Sequence, residues 1–272
     1  TIRNFTGTFK DVAIFSYQPR ANKKISRETL KFFERHEVQY VDEVLNTDYE
    51  AYPLANKPLA CAHREQHSSA DYLLFLDSDT FFLQEPSIFG ELEDYDLGLQ
   101  PTDFPNIATD VEFKSGEATY WKKLYELLEV KRRVAVKTTF SKEWILEYYN
   151  SGCILAAREQ GVFAQWLANF EKVMELGLQP RQGLFFVEQS VFSATVAQMN
   201  LKVMPLGSHY NFPIGGYSRK WRGFYPFSLK KIHHVHYHKI FKSSGVNPIE
   251  RKLNRLNRGQ EINRKIEEFL FV

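Results

Sequence analysis

The chain of 272 residues is 43% hydrophobic and 15% aromatic, enough to bury one large α/β core, or two smaller ones, without help from disulfides. Its 35 basic and 33 acidic residues leave a formal net charge of +2, so no global field calls for nucleic acid or an anionic membrane. No apolar run approaches the roughly 18 residues of a membrane-spanning helix, and the start, Thr1-Ile2-Arg3-Asn4-Phe5, is polar and mixed rather than a signal peptide.

Residues 12–17 form a short apolar run closed by Gln18-Pro19-Arg20, which predicts a buried first strand running into a loop. A helix is expected over residues 26–33, with Ser26 as its N-cap, and a second strand over 38–44. Residues 57–67 have helical composition, with Pro58 in the first turn, where proline is tolerated. The continuous apolar run Tyr72-Leu73-Leu74-Phe75-Leu76 predicts a parallel strand buried on both faces. Further strands are expected at 97–100, 152–156, 202–205 and 232–238, and helices at 161–176 and 188–199. Cys61 and Cys153 both stand in apolar stretches, so the expectation is two buried free thiols and a reducing, cytoplasmic setting. Residues 248–270 read as an amphipathic helix bearing Arg251, Lys252, Arg255 and Arg258. Its apolar face packs on the domain, or alternatively the helix makes a peripheral membrane contact.

The alternation of strand and helix predicts an open α/β sheet flanked by helices, in which ligands gather beyond the carboxyl ends of the strands. Ser16-Tyr17 and Asp77-Ser78-Asp79 both fall at such an edge. Two aspartates one residue apart, at the end of a buried strand, repel each other. A hard divalent cation resolves the conflict by taking carboxylate oxygens while leaving positions for phosphate and water. The alternative is a pair that caps the next turn, partly solvated. Phosphatases of the haloacid dehalogenase type need Thr or Val where Phe81 stands, and usually carry the motif on the first strand. Sugar nucleotidyltransferases carry a glycine-rich loop after strand one, whereas Tyr17-Gln18-Pro19-Arg20 has no glycine.

A series of motifs in order then resembles the GT-A glycosyltransferases, in particular the retaining family 8 enzymes that use UDP-sugars. Leu74-Phe75-Leu76-Asp77-Ser78-Asp79-Thr80 is similar to their metal motif, and Tyr149-Asn150-Ser151-Gly152-Cys153-Ile154-Leu155 to their Phe-Asn-x-Gly-Val-x-Leu strand. Val187-Glu188-Gln189-Ser190 resembles their Asp-Gln-Asp helix start, and Tyr210-Asn211-Phe212 their Asn-Phe strand. Val235-His236-Tyr237-His238 with Lys242 resembles their His-Tyr/Phe-x-Gly-x-x-Lys, with Lys239 in place of the glycine and Ser243-Ser244 in place of Pro-Trp.

The amphipathic pattern puts the C-terminal helix at 247–272, and the resemblance implies a GT-A domain over residues 1–246. It also implies Mn²⁺ or Mg²⁺ as cofactor, a UDP-sugar donor, and a glycan, lipid-linked or protein acceptor. Asp77, Asp79 and His236 would bind the metal, and Lys242 the diphosphate. On a strand His234, His236 and His238 share a face. His234 and His238 are expected on the acceptor side, in support of the ligands, or exposed; three histidines on one face would also suit zinc, but no cysteine lies nearby and the family pattern needs only one histidine. A basic residue on the helix before the metal strand would reach donor sugar or phosphate; Arg64 is preferred and Lys57 second, the alternative being a solvated helix face. Tyr17 could stack on uracil, and Asp103 could accept from sugar hydroxyls or simply begin a turn. Asn150 and Gly152 would line the sugar or acceptor side. In a retaining enzyme Gln189 would lie beneath the anomeric carbon and Glu188 would bind sugar hydroxyls; in an inverting one Glu188 would be the base. His63 and His67, four apart on a helix, read as a surface pair. The basic and aromatic segment 218–225 reads either as a lid or as a surface loop.

Overall fold

The computed structural model describes residues 1–21, 24–213 and 231–237. Lys242, His238, the segment 218–225, the C-terminal helix and the proposed boundary at 246 lie outside the described residues.

In chain order the elements are α1 (Ile2–Phe5), β1 (Ile14–Tyr17), α2 (Arg27–Arg35), β2 (Val38–Val41), α3 (Asn56–Gln66), β3 (Tyr72–Leu76), β4 (Thr80–Phe82) and β5 (Leu97–Pro101). There follow α4 (Ala118–Leu127), β6 (Ala135–Lys137), β7 (Trp144–Leu146), β8 (Tyr149–Ala157), α5 (Val162–Glu175), α6 (Val187–Gln198), β9 (Val203–Pro205), β10 (Phe212–Pro213) and β11 (His234–His236). The architecture is mixed α/β with sheets flanked by helices, as expected. Among the described residues no helix is long and apolar enough to cross a membrane.

A four-stranded sheet in the order β3-β8-β5-β9 forms the centre. β8 and β5 are its interior strands: every residue of β5, and every residue of β8 but Asn150, is buried, so both faces need cover. β8 runs antiparallel to β3 and to β5, while β5 and β9 are parallel. β3 therefore corrects one expectation: it pairs antiparallel with β8, and its burial is partial. An apolar run reports removal from water, not the direction of the neighbour, and here the partner arrives from far along the chain. β1 and β2 form a separate parallel pair, β6 and β7 a hairpin, and β10-β11-β4 a second, three-stranded sheet.

The helices are placed by few contacts that can be named. Ser26 is the N-cap expected of it, its hydroxyl accepting from the Thr29 N–H at 3.1 Å. Helix α5 starts after Gly161 (φ 64°), which has no side chain to cap it. Its open N–H groups at Phe163 and Ala164 instead donate to the buried Glu65 carboxylate of α3, at 3.1 and 2.8 Å. Burial pushes the Glu65 carboxyl upward while these two N–H bonds oppose the shift. Cys61 and Cys153 are free and buried, as expected. Helix α4 and the hairpin β6–β7 had no counterpart in the sequence reading.

Candidate metal and donor site

The Asp77-Ser78-Asp79 segment is the turn that carries the chain from one sheet to the other. The Asp77 N–H still donates to the Gly152 carbonyl at 2.9 Å, extending the β3–β8 pairing by one residue. Thr80 then opens β4, which pairs antiparallel with β11 so that Thr80 lies opposite His236. That register delivers a histidine distant in sequence to the second aspartate. His236 Nε2 is 3.0 Å from Asp79 Oδ1, and the Tyr237 N–H donates to the Asp79 carbonyl at 2.9 Å. The turn is closed by the Thr80 hydroxyl, which donates to the Asp77 carbonyl at 2.8 Å.

Ligand atoms of Asp77, Asp79 and His236 all lie within 4.8 Å of one another. Asp77 and Asp79 are half-buried and His236 is buried. Two carboxylates from the turn and one imidazole from β11 fit Mn²⁺ or Mg²⁺, which keep positions for water or phosphate. His234 is not in this group. It is fully buried rather than exposed, its Nδ1 accepts from the Asn211 N–H at 3.2 Å, and its ring lies 4.7 Å from Phe82. Burial drives its pKa down to about 3, so the ring is neutral.

A second group shares Asp77. Lys57 Nζ lies 2.9 Å from Asp77 Oδ1, 3.2 Å from Glu188 Oε1 and 3.3 Å from the Ser151 hydroxyl. Burial alone would depress the ammonium, but Glu188 and then Asp77 outweigh it and hold the pKa above the usual lysine range. Burial likewise pushes the Glu188 carboxyl up, against the pull of Lys57. Glu188 is fixed from all sides: Ser151 Oγ donates to Oε1 at 2.9 Å, its own N–H donates to the Tyr52 hydroxyl at 3.2 Å, and Trp166 Nε1 donates to its carbonyl at 3.0 Å. Its Oε2 is buried with no hydrogen-bond partner.

Gly152 and Asn150 complete this wall. A Cβ on Gly152 would stand 2.8 Å from Asp77 Oδ2 and 3.0 Å from Asn150 Oδ1, which itself accepts from the Gly152 N–H at 2.8 Å. Gln189, half-buried next to Glu188 on α6, lies beside the Tyr148 hydroxyl.

Arg64 stands apart from the carboxylates. Its guanidinium lies over the Phe15 ring at 4.1 Å, and its Nε is buried without a partner. Lys57, the second choice from sequence, is the basic residue that reaches Asp77. Ser16 lies within β1, opposite Tyr40 of β2. The Tyr17 hydroxyl meets His63 Nδ1 at 3.0 Å, and His63 Nε2 is 3.1 Å from Glu43 Oε2. His63 is therefore half-buried rather than on the surface, although its ring stacks on the exposed His67 at 4.2 Å. Ser151 and Tyr52 had no assigned role; Ser151 was legible as a hydroxyl inside the Asn150–Gly152 motif, whereas Tyr52 carried no signal.

Asp103 follows β5, which runs parallel to β3 because β8 is antiparallel to both, so its loop leaves the sheet at the edge that holds Asp77. The Phe140 and Ser141 N–H groups donate to its carbonyl, each at 3.2 Å, and its Oδ1 is buried without a partner. Burial pushes the carboxyl up to about 7. The folded chain thus keeps a proton that the unfolded chain releases near 3.8. The stability this proton confers is present at acid pH and is lost as pH rises through about 7. Thermal melts across this window are expected to fall less steeply with pH for Asp103→Asn than for the parent chain; parallel curves would contradict the assignment.

The family model for the Rhodobacterales glycosyltransferase domain matches residues 1–200. The chain belongs to this family and is a glycosyltransferase. No curated protein sequence matches it. Among solved structures it is similar to mouse xyloside xylosyltransferase 1 in its apo form, at 13% identity and TM-score 0.46, covering 82% of this chain and 83% of that one. It is also similar to the WbbM bifunctional glycosyltransferase, at 16% identity and TM-score 0.46, covering 83% of this chain and 39% of that one. The glycosyltransferase GlyE of Streptococcus pneumoniae TIGR4 matches at 15% identity and TM-score 0.45, over 87% of this chain and 49% of that one.

Proposed function

We propose that this glycosyltransferase is metal-dependent and of the GT-A type, most similar to family 8. It moves a hexose from a UDP-sugar to a saccharide, lipid-linked or protein acceptor, with retention of configuration. The observation that carries the reading is the convergence of Asp77, Asp79 and His236 ligand atoms within 4.8 Å, on a turn between two sheets. A divalent cation bound there supplies charge neutralisation for the departing diphosphate.

The chain's own groups do the rest. Asp77 and Asp79 from the turn, and His236 from β11, would hold the cation. Lys57, fixed between Asp77 and Glu188, adds positive charge next to the diphosphate, which Lys242 also binds. Gln189 presents its amide beneath the anomeric carbon, Glu188 and Asp103 receive sugar hydroxyls, and Asn150 with Gly152 shapes the floor. Tyr17 and Ser16 receive the nucleoside, and Arg64 the donor sugar or phosphate. The unpartnered, buried Glu188 Oε2 favours a second reading, an inverting transferase with Glu188 as base.

The test is a panel of nucleotide-sugars, with and without Mn²⁺, scored for binding and slow donor hydrolysis. Mn²⁺-dependent binding of UDP-sugars is expected, and its absence for every nucleotide would sink the proposal. Anomeric NMR of a transfer product separates the two stereochemical readings. Gly152→Ala places a methyl against the Asp77 carboxylate, so divalent affinity is expected to fall about 10–100-fold, as for other groups that orient metal ligands. A manganese titration followed by EPR checks this; unchanged affinity would put the cation elsewhere.

A further inference from the structure

Between Lys131 and Trp144 the chain carries five basic residues and one acidic one, although the whole molecule is nearly neutral at +2. Arg132 is consumed by the buried Glu147, at 3.0 Å. Lys131, Arg133, Lys137 and Lys142 are exposed. Arg133 lies over the Phe113 ring at 4.9 Å, whereas Lys137 and Lys142 share the hairpin with Trp144, which is 63% exposed although tryptophan is costly to leave in water. Lys137, its cross-strand neighbour on the β6–β7 hairpin, holds Nζ 4.9 Å from the indole centroid.

This surface is joined to the proposed site. The hairpin's connecting loop is fastened to the loop after β5: Thr139 Oγ1 donates to the Pro101 carbonyl at 2.6 Å, the Thr139 N–H donates to the Thr102 carbonyl at 2.9 Å, and Phe140 and Ser141 hold Asp103. On its other side β7 leads almost directly into β8, which carries Asn150 and Gly152. The hairpin thus borders both the loop that carries Asp103 and the strand that carries Asn150 and Gly152.

We propose that the β6–β7 hairpin is a docking surface for an acidic polysaccharide acceptor, with Trp144 stacking on a pyranose ring and Lys137 and Lys142 pairing with carboxylates or phosphates along the chain. The proposal rests on the transferase using a saccharide acceptor. An indole face offers a large, rigid area to the C–H face of a sugar at little entropic cost. The local excess of positive charge selects acidic chains and makes the contact salt-sensitive. Glu143, the single acid of the stretch, repels the same chain and so limits its strength.

The experiment uses the full chain and polygalacturonate oligomers as probe, with neutral malto-oligosaccharides as control, read by calorimetry at low and raised salt. The parent chain is expected to bind the acidic oligomers in a salt-sensitive way. Trp144→Ala and the pair Lys137→Ala with Lys142→Ala should each weaken binding about tenfold, comparable to loss of one stacked or charged contact. Mn²⁺-dependent UDP-sugar binding, measured on the same samples, should not change. Its loss in the parent chain would indict the nucleotide reading and leave the hairpin result to stand by itself. Equal binding of neutral and acidic oligomers, or no effect of the variants, overturns the proposal. So does Trp144-dependent binding to phosphatidylglycerol vesicles without binding to the oligomers, since that makes the hairpin a membrane contact.

Discussion

Asp77→Asn and Asp79→Asn are each expected to lower Mn²⁺-stimulated transfer by roughly 10²–10³-fold, the loss of about 3–4 kcal/mol of transition-state stabilisation. Their effects on stability should differ. Asp79 carries a half-open carboxylate that meets His236 at the surface of the turn, so its replacement should leave the melting temperature almost unchanged. Asp77 is also a partner of Lys57 in a largely buried group, and its replacement leaves the ammonium with Glu188 alone. Initial rates with and without Mn²⁺, set beside thermal melts, check both halves. If either variant keeps the parent's response to Mn²⁺, the cation is not held by this turn.

The second large effect concerns Lys57, whose side chain is 15% exposed and whose partner Glu188 is 3% exposed. Lys57→Met leaves the Glu188 carboxylate buried without its cation, a situation that typically costs about 3–5 kcal/mol. For a chain of this size that corresponds to a melting temperature lower by roughly 10 °C. Removing the other partner as well should return much of the loss: Lys57→Met combined with Glu188→Gln is expected to be more stable than the sum of the single changes predicts. Chemical denaturation of the four members of this cycle measures the coupling. Strict additivity would mean that the short Lys57–Glu188 distance contributes nothing.

The same group explains what a linear reading misses. Arg64 is the preferred basic residue by family resemblance, with Lys57, seven residues earlier and on the same helical face, second. Spacing does not say which of two residues on a face looks at the sheet edge. Packing decides it: Arg64 lies over Phe15 of the first strand, while Lys57, nearer the start of α3, reaches across to β8 and α6. His63 and His67 make the same point. Their spacing was legible, but the Tyr17 hydroxyl and Glu43 that draw His63 inward come from other elements.

By itself the sequence determined the α/β class, most of the elements, the Ser26 cap and the free thiols. These rest on local rules: apolar runs, helical composition and capping chemistry, whereas the grouping of His236 with Asp77 and Asp79 was legible only through the family resemblance. Only the tertiary structure decided that β3 pairs antiparallel with β8, that α4 and the β6–β7 hairpin form, and that Lys57 joins Asp77 to Glu188. It also decided that His236 meets Asp79 while His234, two residues away on the same strand, turns to Phe82 and Asn211. Alternation along a strand assigns residues to faces. What each residue meets there depends on the register of β4 against β11, and that register is set by packing between segments far apart in the chain.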